Sequence, residues 1–355
     1  MTPKSVIILA IATAAAAAAA AASLNVNHGY SSRAGAGAVF PGLLAKLDTV
    51  TKVSVDHKDG GTVIVRAAGG AWTVPASDDY PASLPQVQKS ILQLARLEYL
   101  AKKTAKPKFY SRLHLEDMKE KDTQARRIRL FDAKGATLAE LIVGKKRLNL
   151  PGTAPEGAYI RKPGDPQTWL ASGEIDVQTE LKSWLRSSIL NIREEDVLKL
   201  EVRHPGGEVV RISKENPKDR NFTLHGIPDD KKLQYDSDPD NVANVVEDLV
   251  MVDVRKAEKI DFPADKTVNA TYTSRSGLVA ELWLTAKGED EWLKVKLTAN
   301  PDAPAPKGKG QETAAQIAKR VTHQTAGWAF KIVGFKAERL RRSAAKMLVD
   351  KKAGS

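Results

Sequence analysis

The sequence predicts an α+β protein in which two related β-rich units follow one N-terminal hydrophobic segment. Three observations support this class: an uncharged run near the N-terminus, strand and turn segments that occur twice, and one apolar helix stripe in each copy. At 355 residues the chain is longer than a single hydrophobic core usually serves, so two domains are expected. The predicted repeats cover residues 48–192 and 193–349, with a tail at 350–355.

The N-terminal run has no charge from Ser5 to Leu24 and includes nine consecutive alanines. A helix of about 20 residues rises about 30 Å, which matches the hydrocarbon core of a bilayer. We therefore expect a single-pass transmembrane anchor over residues 5–24. Lys4 favours a cytoplasmic tip at residues 1–4. Residues 25–47 are then a stalk and lead-in to a body outside the cytoplasm.

A cleaved signal peptide is the alternative for the same run. A positive start, an apolar stretch and small residues before Ser23 also fit that description. The apolar stretch is longer than the about 7–15 residues usual in signal peptides, which favours the anchor. Both interpretations export the body.

The strongest evidence for two units is an internal repeat. Val50–Val55 reappears as Val197–Val202, and a Gly-Gly turn follows each copy, at Gly60-Gly61 and Gly206-Gly207. Further short apolar strands are predicted at Val63–Val65, Trp72–Val74, Val209–Ile212 and Phe222–Leu224.

A proline opens the predicted helix of each copy, and apolar residues then recur at helical spacing. The first stripe follows Pro85 and consists of Val87, Ile91, Leu94 and Ala95. The second follows Pro239 and consists of Val242, Val245, Val246 and Leu249. We expect both stripes to belong to the core.

Alternating apolar residues around a glycine turn predict a hairpin after each helix. The hairpins are Ile128–Val143 and Ser274–Leu284, and one more strand follows each, at Ala158–Arg161 and Leu293–Leu297. A tryptophan and a helix are expected to close each copy, at Trp169–Leu181 and Trp328–Leu340. An insertion at Pro301–Lys309 is expected to be an exposed loop.

Composition and motifs exclude several kinds of site. The chain has no cysteine, so disulfides and thiolate metal sites are absent. The formal charge of +12 comes from basic residues interleaved with acids, and no aromatic–basic stacking motif is found, so no nucleic-acid partner is predicted. The six histidines, His28, His57, His114, His204, His225 and His323, lack paired-ligand spacing. We predict no catalytic residues, no cofactor and no enzyme.

One acidic segment approaches the pattern of a calcium loop. Asp236, Asp238, Asp240 and Glu247 occupy positions 1, 3, 5 and 12 of such a loop. Position 6 is Asn241 where glycine is usual, and Pro239 interrupts the loop. The alternative is that the Asp238 carboxylate caps the helix that Pro239 opens.

The C-terminal segment Phe335–Leu348 has an amphipathic pattern. Phe335, Ala337, Leu340, Ala344 and Leu348 fall near one helical face, and the basic residues lie elsewhere. Packing with a basic outer face is the expected role, because the first repeat has a corresponding segment at Asp176–Ile189. Contact with a membrane surface or partner, and disorder, are the alternatives.

Several short signatures resemble the domain-of-unknown-function 4340 family. They include Val39–Leu43, Trp72–Val74, Tyr110–Leu113, Leu141–Lys145, Tyr159–Gly164 and Trp169–Gly173. The likeness runs from Val39 to Leu348. It implies a bacterial inner-membrane protein with a periplasmic body, encoded beside subunits similar to ABC-type gliding-motility auxiliary transporters. It supplies no catalytic motif.

These observations predict a non-enzymatic scaffold or accessory subunit of the bacterial envelope. Its expected partners are envelope membrane proteins, with ABC transporter subunits as candidates, and inner-membrane lipid around residues 5–24. The alternative is a periplasmic lipid, glycan or peptide binding protein that uses the cleft between the repeats. A hydrolase is the third hypothesis.

Overall fold

A computed structural model describes residues 37–67, 69–150, 156–306, 308 and 310–351. The predicted tip 1–4, the membrane segment 5–24 and the stalk up to residue 36 lie outside these ranges. Within them, no helix is both long enough and apolar enough to cross a membrane.

Helices and strands alternate along the chain, and two large antiparallel sheets confirm the α+β class. The helices are α1 (Leu84–Arg96), α2 (Tyr110–Leu113), α3 (Leu181–Trp184), α4 (Asp238–Ala243), α5 (Ala314–Thr325), α6 (Gly334–Leu340) and α7 (Ala344–Met347). The strands are β1 (Lys52–His57), β2 (Gly60–Arg66), β3 (Trp72–Val74), β4 (Tyr80–Pro81), β5 (Glu98–Lys102), β6 (Arg126–Phe131), β7 (Thr137–Leu148), β8 (Glu156–Arg161), β9 (Thr168–Ser172), β10 (Ser188–Leu190), β11 (Val197–Arg203), β12 (Val209–Ser213), β13 (Thr223–Leu224), β14 (Lys231–Leu233), β15 (Leu249–Lys256), β16 (Val268–Ser274), β17 (Leu278–Lys287), β18 (Asp290–Ala299), β19 (Trp328–Ile332) and β20 (Leu348–Asp350).

Residue contacts divide the chain into two compact units. The first comprises the residues up to Ala71 together with Leu84–Thr179. The second comprises Trp72–Ser83 together with the residues from Glu180 onward. The second unit therefore begins earlier than the repeat boundary expected after residue 192, and it also takes a short segment from the first repeat.

The sheets of the two units share one strand order. It is β2–β1–β6–β7–β8–β9–β5 in the first unit and β12–β11–β16–β17–β18–β19–β15 in the second. In both, the strand after the helix pairs with the last strand of the repeat, and in the second sheet β10 lies outside it. The register also places a lysine opposite a tryptophan at equivalent points, Lys102 opposite Trp169 and Lys256 opposite Trp328. The match between the two tryptophans is thus confirmed.

Most predicted strands and the first helix stripe are confirmed. The hairpin β6–β7 turns at Gly135 and β16–β17 turns at Gly277, whose φ angles of 80° and 81° favour glycine. Val87, Ile91, Leu94 and Ala95 of α1 are all buried. Burial of one helical face is what the stripe predicts.

The second predicted helix is shorter than its stripe. Val242 lies in α4, whereas Val245 and Val246 lie in a 3₁₀ turn and Leu249 begins β15, although all four are fully buried. The 3₁₀ turn ends at Val246, and Asp248, directly before β15, has a positive φ of 44°. The stripe therefore predicted burial correctly and helix length wrongly.

The helix expected after the tryptophan is confirmed in the second copy as α6, whereas in the first copy it begins only at Leu181. The tryptophans themselves lie in strands β9 and β19, because they pair with β5 and β15. Within Asp176–Ile189 only Leu181–Trp184 is helical, and the segment then enters β10.

Helix α5 follows the predicted loop and was not expected. Thr313 and Gln316 form a capping box at its start, with the Gln316 N–H donating to the Thr313 hydroxyl and the Gln316 side chain accepting from the Thr313 N–H. The Thr-x-x-Gln spacing in the sequence is the signal for this helix. Thr322 then bonds the backbone of Leu297 in β18 in both directions, which ties the helix to the sheet.

The hairpin β3–β4 comes from the first repeat but packs within the second unit. The Tyr80 ring stands edge-on to Trp328 at 4.9 Å, and its hydroxyl donates to the Arg186 carbonyl at 3.3 Å. At the hairpin turn, Asp78 pairs with Lys259 and accepts from the Lys256 N–H. The hydrogen bond from Lys259 holds the pKa of Asp78 below its usual value.

Gly144 is one of the glycines in the first unit at which we expect a side chain to be poorly tolerated. A Cβ there would lie 2.1 Å from the Leu113 carbonyl oxygen and 2.7 Å from that of His114. Gly144→Ala should therefore lower the free energy of unfolding by about 1–3 kcal/mol, measured by urea denaturation. Gly334→Ala is the control, because no atom lies within 4 Å of its added Cβ. Equal stability of the two variants would contradict the close approach of α2 to β7.

Candidate functional site

A large open cleft lies within the second unit and has a volume of about 1350 Å³. We call it the charged cleft. It is lined by the segment Asn191–Asp196, the segment around Lys214 and Lys218–Arg220, Arg275 and Ser276, and the loop residues Pro304–Pro306 and Gln311–Glu312. Its lining combines both signs of charge with apolar side chains, so it is a candidate place for binding or chemistry.

Two cations hold the 3₁₀ turn Glu194–Asp196 through its backbone. The nearly buried Lys214 donates to the carbonyls of Glu194 and Glu195 at 3.4 and 3.1 Å. The Arg275 guanidinium donates to the Glu195 carbonyl at 3.3 Å and to that of Pro217. Carbonyls at the end of a helical turn lack intrahelical donors, so these bonds stabilise the turn. Both cations therefore have a structural task.

The carboxylates of the charged cleft are also engaged. Arg193 pairs with Asp196 at 3.0 Å, and Glu194 accepts from the Asn244 side chain at 2.9 Å. Glu312 receives two hydrogen bonds from Arg320, which hold the pKa of its carboxyl below the usual value. An acid in such a pair stays ionised and is a poor proton donor.

The four acids of the calcium-like segment have separate partners. Asp238 is buried and pairs with Arg342 at 3.0 Å, and Asp240 accepts from the Phe222 N–H at 2.7 Å. Glu247 accepts from the Asn244 side chain, and Asp236 is exposed. Over the described ranges, no group of three His, Cys, Asp or Glu side chains is arranged to hold a metal ion.

The expected helix cap is wrong by one residue. Ser237 occupies the N-cap position, and Asp238 is the first helical residue, with Pro239 next to it. The Asp238 carboxylate points to Arg342 and not to a backbone N–H of its own helix. Burial raises the pKa of Asp238, and the Arg342 charge opposes that rise.

The C-terminal segment packs differently from one amphipathic helix. It forms α6, α7 and β20, and Phe335 of the expected apolar face is 54% exposed. Lys336, expected on the basic outer face, is buried and donates to the carbonyls of Asn244, Val245 and Glu247 at 2.9, 3.1 and 2.6 Å. Burial lowers the pKa of Lys336, and the nearby charge of Arg339 adds to this effect. The three bonds explain why the helix before β15 ends so early.

One serine–histidine pair has the close contact that a hydrolytic nucleophile and its base require. The Ser213 hydroxyl and His225 Nε2 lie 2.6 Å apart at the edge of the second sheet. A catalytic base of this kind needs a third group that orients its other ring nitrogen. Among the residues whose structure is described, no hydrogen bond to His225 Nδ1 is present. The pair therefore lacks the rest of a hydrolase site.

Comparison with known protein families shows to which family the chain belongs. The family model named domain of unknown function, DUF4340, matches residues 72–274, which is more than half of the chain. The chain belongs to the DUF4340 family. The resemblance seen in the short signatures is confirmed. No curated protein and no solved structure gives a significant match.

In this DUF4340 chain, the match begins at the hairpin β3–β4 and ends with β16, so it covers parts of both units. Lys214 lies in this range, Arg275 directly follows it, and Lys336 lies well beyond it toward the C-terminus. All three shape the second unit. Sequence reasoning missed them because their partners are carbonyls of distant residues. Every residue has a backbone carbonyl, so no residue type in the sequence indicates which carbonyl a cation will bind.

The DUF4340 chain offers a direct test of the calcium alternative. Asp238→Ala should lower the free energy of unfolding by about 1.5–3 kcal/mol, because Arg342 loses a charged acceptor. The exposed Asp236→Ala should change it by less than about 0.5 kcal/mol. Calorimetry should show no heat on adding calcium, and Tm should stay constant. A calcium-dependent rise in Tm that both variants abolish would establish the metal site instead.

Proposed function

We propose that this chain is a non-enzymatic, single-pass envelope protein that serves as a scaffold or accessory subunit of an ABC-type transport system similar to the gliding-motility auxiliary transporters. The uncharged run at residues 5–24 supports the anchor, and Lys4 before it supports a periplasmic body. The family relationship supports the envelope setting through the resemblance already described.

One observation carries the choice of binding over catalysis. In the charged cleft, ion pairs and backbone carbonyls engage the groups that could act as acids, bases or electrophiles, namely Lys214, Arg275, Glu194 and Glu312. An active site needs such groups to be available to a substrate and to have pKa values matched to their role. A cleft of structural ion pairs suits contact with another protein better.

The lining also bears on the alternative function. A lipid or drug-like ligand favours a concave and mostly apolar pocket. The charged cleft is open and bears exposed cations at Lys218 and Arg220. These features favour a polar protein segment, so the lipid-binding alternative finds less support from this cleft.

Photo-crosslinking in native membranes tests the accessory role. A photoreactive amino acid in place of Arg220, at the rim of the charged cleft, should crosslink to a membrane subunit of a transporter. The same amino acid in place of Lys134, in the exposed β6–β7 turn, is the control and should give little of that product. Products from Arg220 that contain no transporter subunit would contradict the proposal.

A further inference from the structure

The far edge of the first sheet carries a cluster of aromatic rings. Tyr99 of β5 and Trp169 of β9 lie with ring centroids 4.5 Å apart and planes inclined by 45°. Phe40 and Phe109 lie on the chain segments beside them, and all four rings are partly exposed. Rings at a sheet edge are available to a partner in a way that core rings are not.

Cations lie over these rings. The Lys162 ammonium is 5.0 Å from the Phe40 ring centre and 5.8 Å from that of Tyr99. Lys102 lies 5.4 Å from Trp169, and the Arg112 guanidinium lies 5.0 Å from Phe109. We define the basic aromatic surface as residues Tyr99–Arg112 with Phe40, Lys162 and Trp169.

Backbone bonds make this surface continuous. Thr168 donates its N–H to the Thr104 carbonyl at 2.8 Å, and the Thr104 N–H donates to the Thr168 hydroxyl at 3.0 Å. The Tyr110 hydroxyl donates to the Pro166 carbonyl at 2.6 Å. The segment after β5 is thus held against the turn between β8 and β9.

The charge of this surface is strongly one-sided. Between Tyr99 and Arg112 the chain has no carboxylate, and its cations are Lys102, Lys103, Lys106, Lys108 and Arg112. Glu98 and Glu116 are the neighbouring acids in sequence. Asp165, near Lys162, accepts from the Gln167 N–H within its own turn. The expectation of interleaved charges fails over this one segment, and the pairing of β5 with β9 brings Trp169 beside it.

The course of the chain before β1 indicates what this surface meets. The Tyr99 N–H donates to the Gly37 carbonyl, and the Val39 N–H donates to the Leu97 carbonyl, so residues 37–39 run antiparallel to β5. Toward lower residue numbers, the chain therefore points to the Lys102 end of β5. Residues 25–36 can span at most about 40 Å, which keeps an anchor ending at residue 24 near this surface.

We propose that the basic aromatic surface lies on anionic lipid headgroups of the bilayer that residues 5–24 span. This inference rests on the proposed membrane anchor. Tyr and Trp rings favour the membrane–water interface, and Lys and Arg attract anionic lipid. Each cation near such a surface contributes about fivefold to binding. The contact holds the first unit in one orientation on the membrane.

The absence of cysteine makes a site-specific test possible. In the full chain, Ala105→Cys provides one exposed label position within the basic aromatic surface. The labelled chain is reconstituted into vesicles of phosphatidylcholine, with or without phosphatidylglycerol, that carry a headgroup quencher. We expect strong quenching only with phosphatidylglycerol.

Charge reversal supplies the matched comparison. Lys102→Glu, Lys106→Glu and Lys108→Glu together should weaken the contact by about a hundredfold and remove the quenching. The control reverses Lys58, Lys145 and Arg147 to Glu, since these exposed cations lie toward the opposite ends of the strands in the same unit. It should leave the quenching unchanged.

The outcomes separate this inference from the proposed anchor. Resistance to carbonate extraction supports the anchor. If the label of such a chain is quenched equally in both kinds of vesicle, or if the triple reversal at Lys102, Lys106 and Lys108 does not change the quenching, the lipid contact is overturned and the anchor stands. If carbonate extracts the chain, flotation with phosphatidylglycerol vesicles that the first reversal abolishes supports the surface without the anchor. If the extracted chain does not float with these vesicles, both the anchor and the lipid contact are overturned. If neither kind of vesicle quenches the label, the lipid contact is overturned. The basic aromatic surface would then suit an acidic protein partner.

Discussion

In both units, the strand that follows the helix must cross the sheet and pair with the last strand of the repeat. β5 lies beside β9, and β15 lies beside β19. This crossing requires the helix to end promptly, which explains the 3₁₀ turn and the positive φ before β15. Lys336 supplies charged donors for the carbonyls that the shortened helix leaves without partners. The rest of each unit depends on this closure, because the core helix residues are buried only when the sheet is complete.

The same closure positions the surfaces that we connect with function. A lead-in segment pairs outside the closing strand in each unit, residues 37–39 beside β5 and β10 beside β15. In the first unit this pairing directs the N-terminal chain toward Lys102 and Trp169. In the second it leads into Glu194–Asp196, the turn at the charged cleft. The same strand pairing therefore produces a different surface in each unit, because the loops around the paired strands differ in charge.

Much of the fold was predictable where the signal is local. Alternation around Gly135 and Gly277 predicts the hairpins, and the α1 stripe predicts a buried face. The helix lengths near Val245 and Trp169 were not predictable, because strand pairing with distant residues outweighs local helical spacing. For the candidate sites, the acidic spacing around Asp238 was visible, but its partner Arg342 comes from the far end of the chain. Likewise, residues 99–112 supply most of the cations near Tyr99, but only the pairing of β5 with β9 brings Trp169 to them.

The central claim is that both units close by pairing the strand after the helix with the last strand. Directly opposite residues of antiparallel strands have Cα atoms about 4.5–5.5 Å apart, which suits a disulfide. In this cysteine-free chain, the pairs Glu98→Cys with Ser172→Cys and Asp253→Cys with Lys331→Cys test the two units separately. We predict that mild oxidation joins both pairs, whereas Lys102→Cys with Ser172→Cys, which are out of register, stays reduced. Failure of either in-register pair, or equal oxidation of the control, would contradict the shared closure.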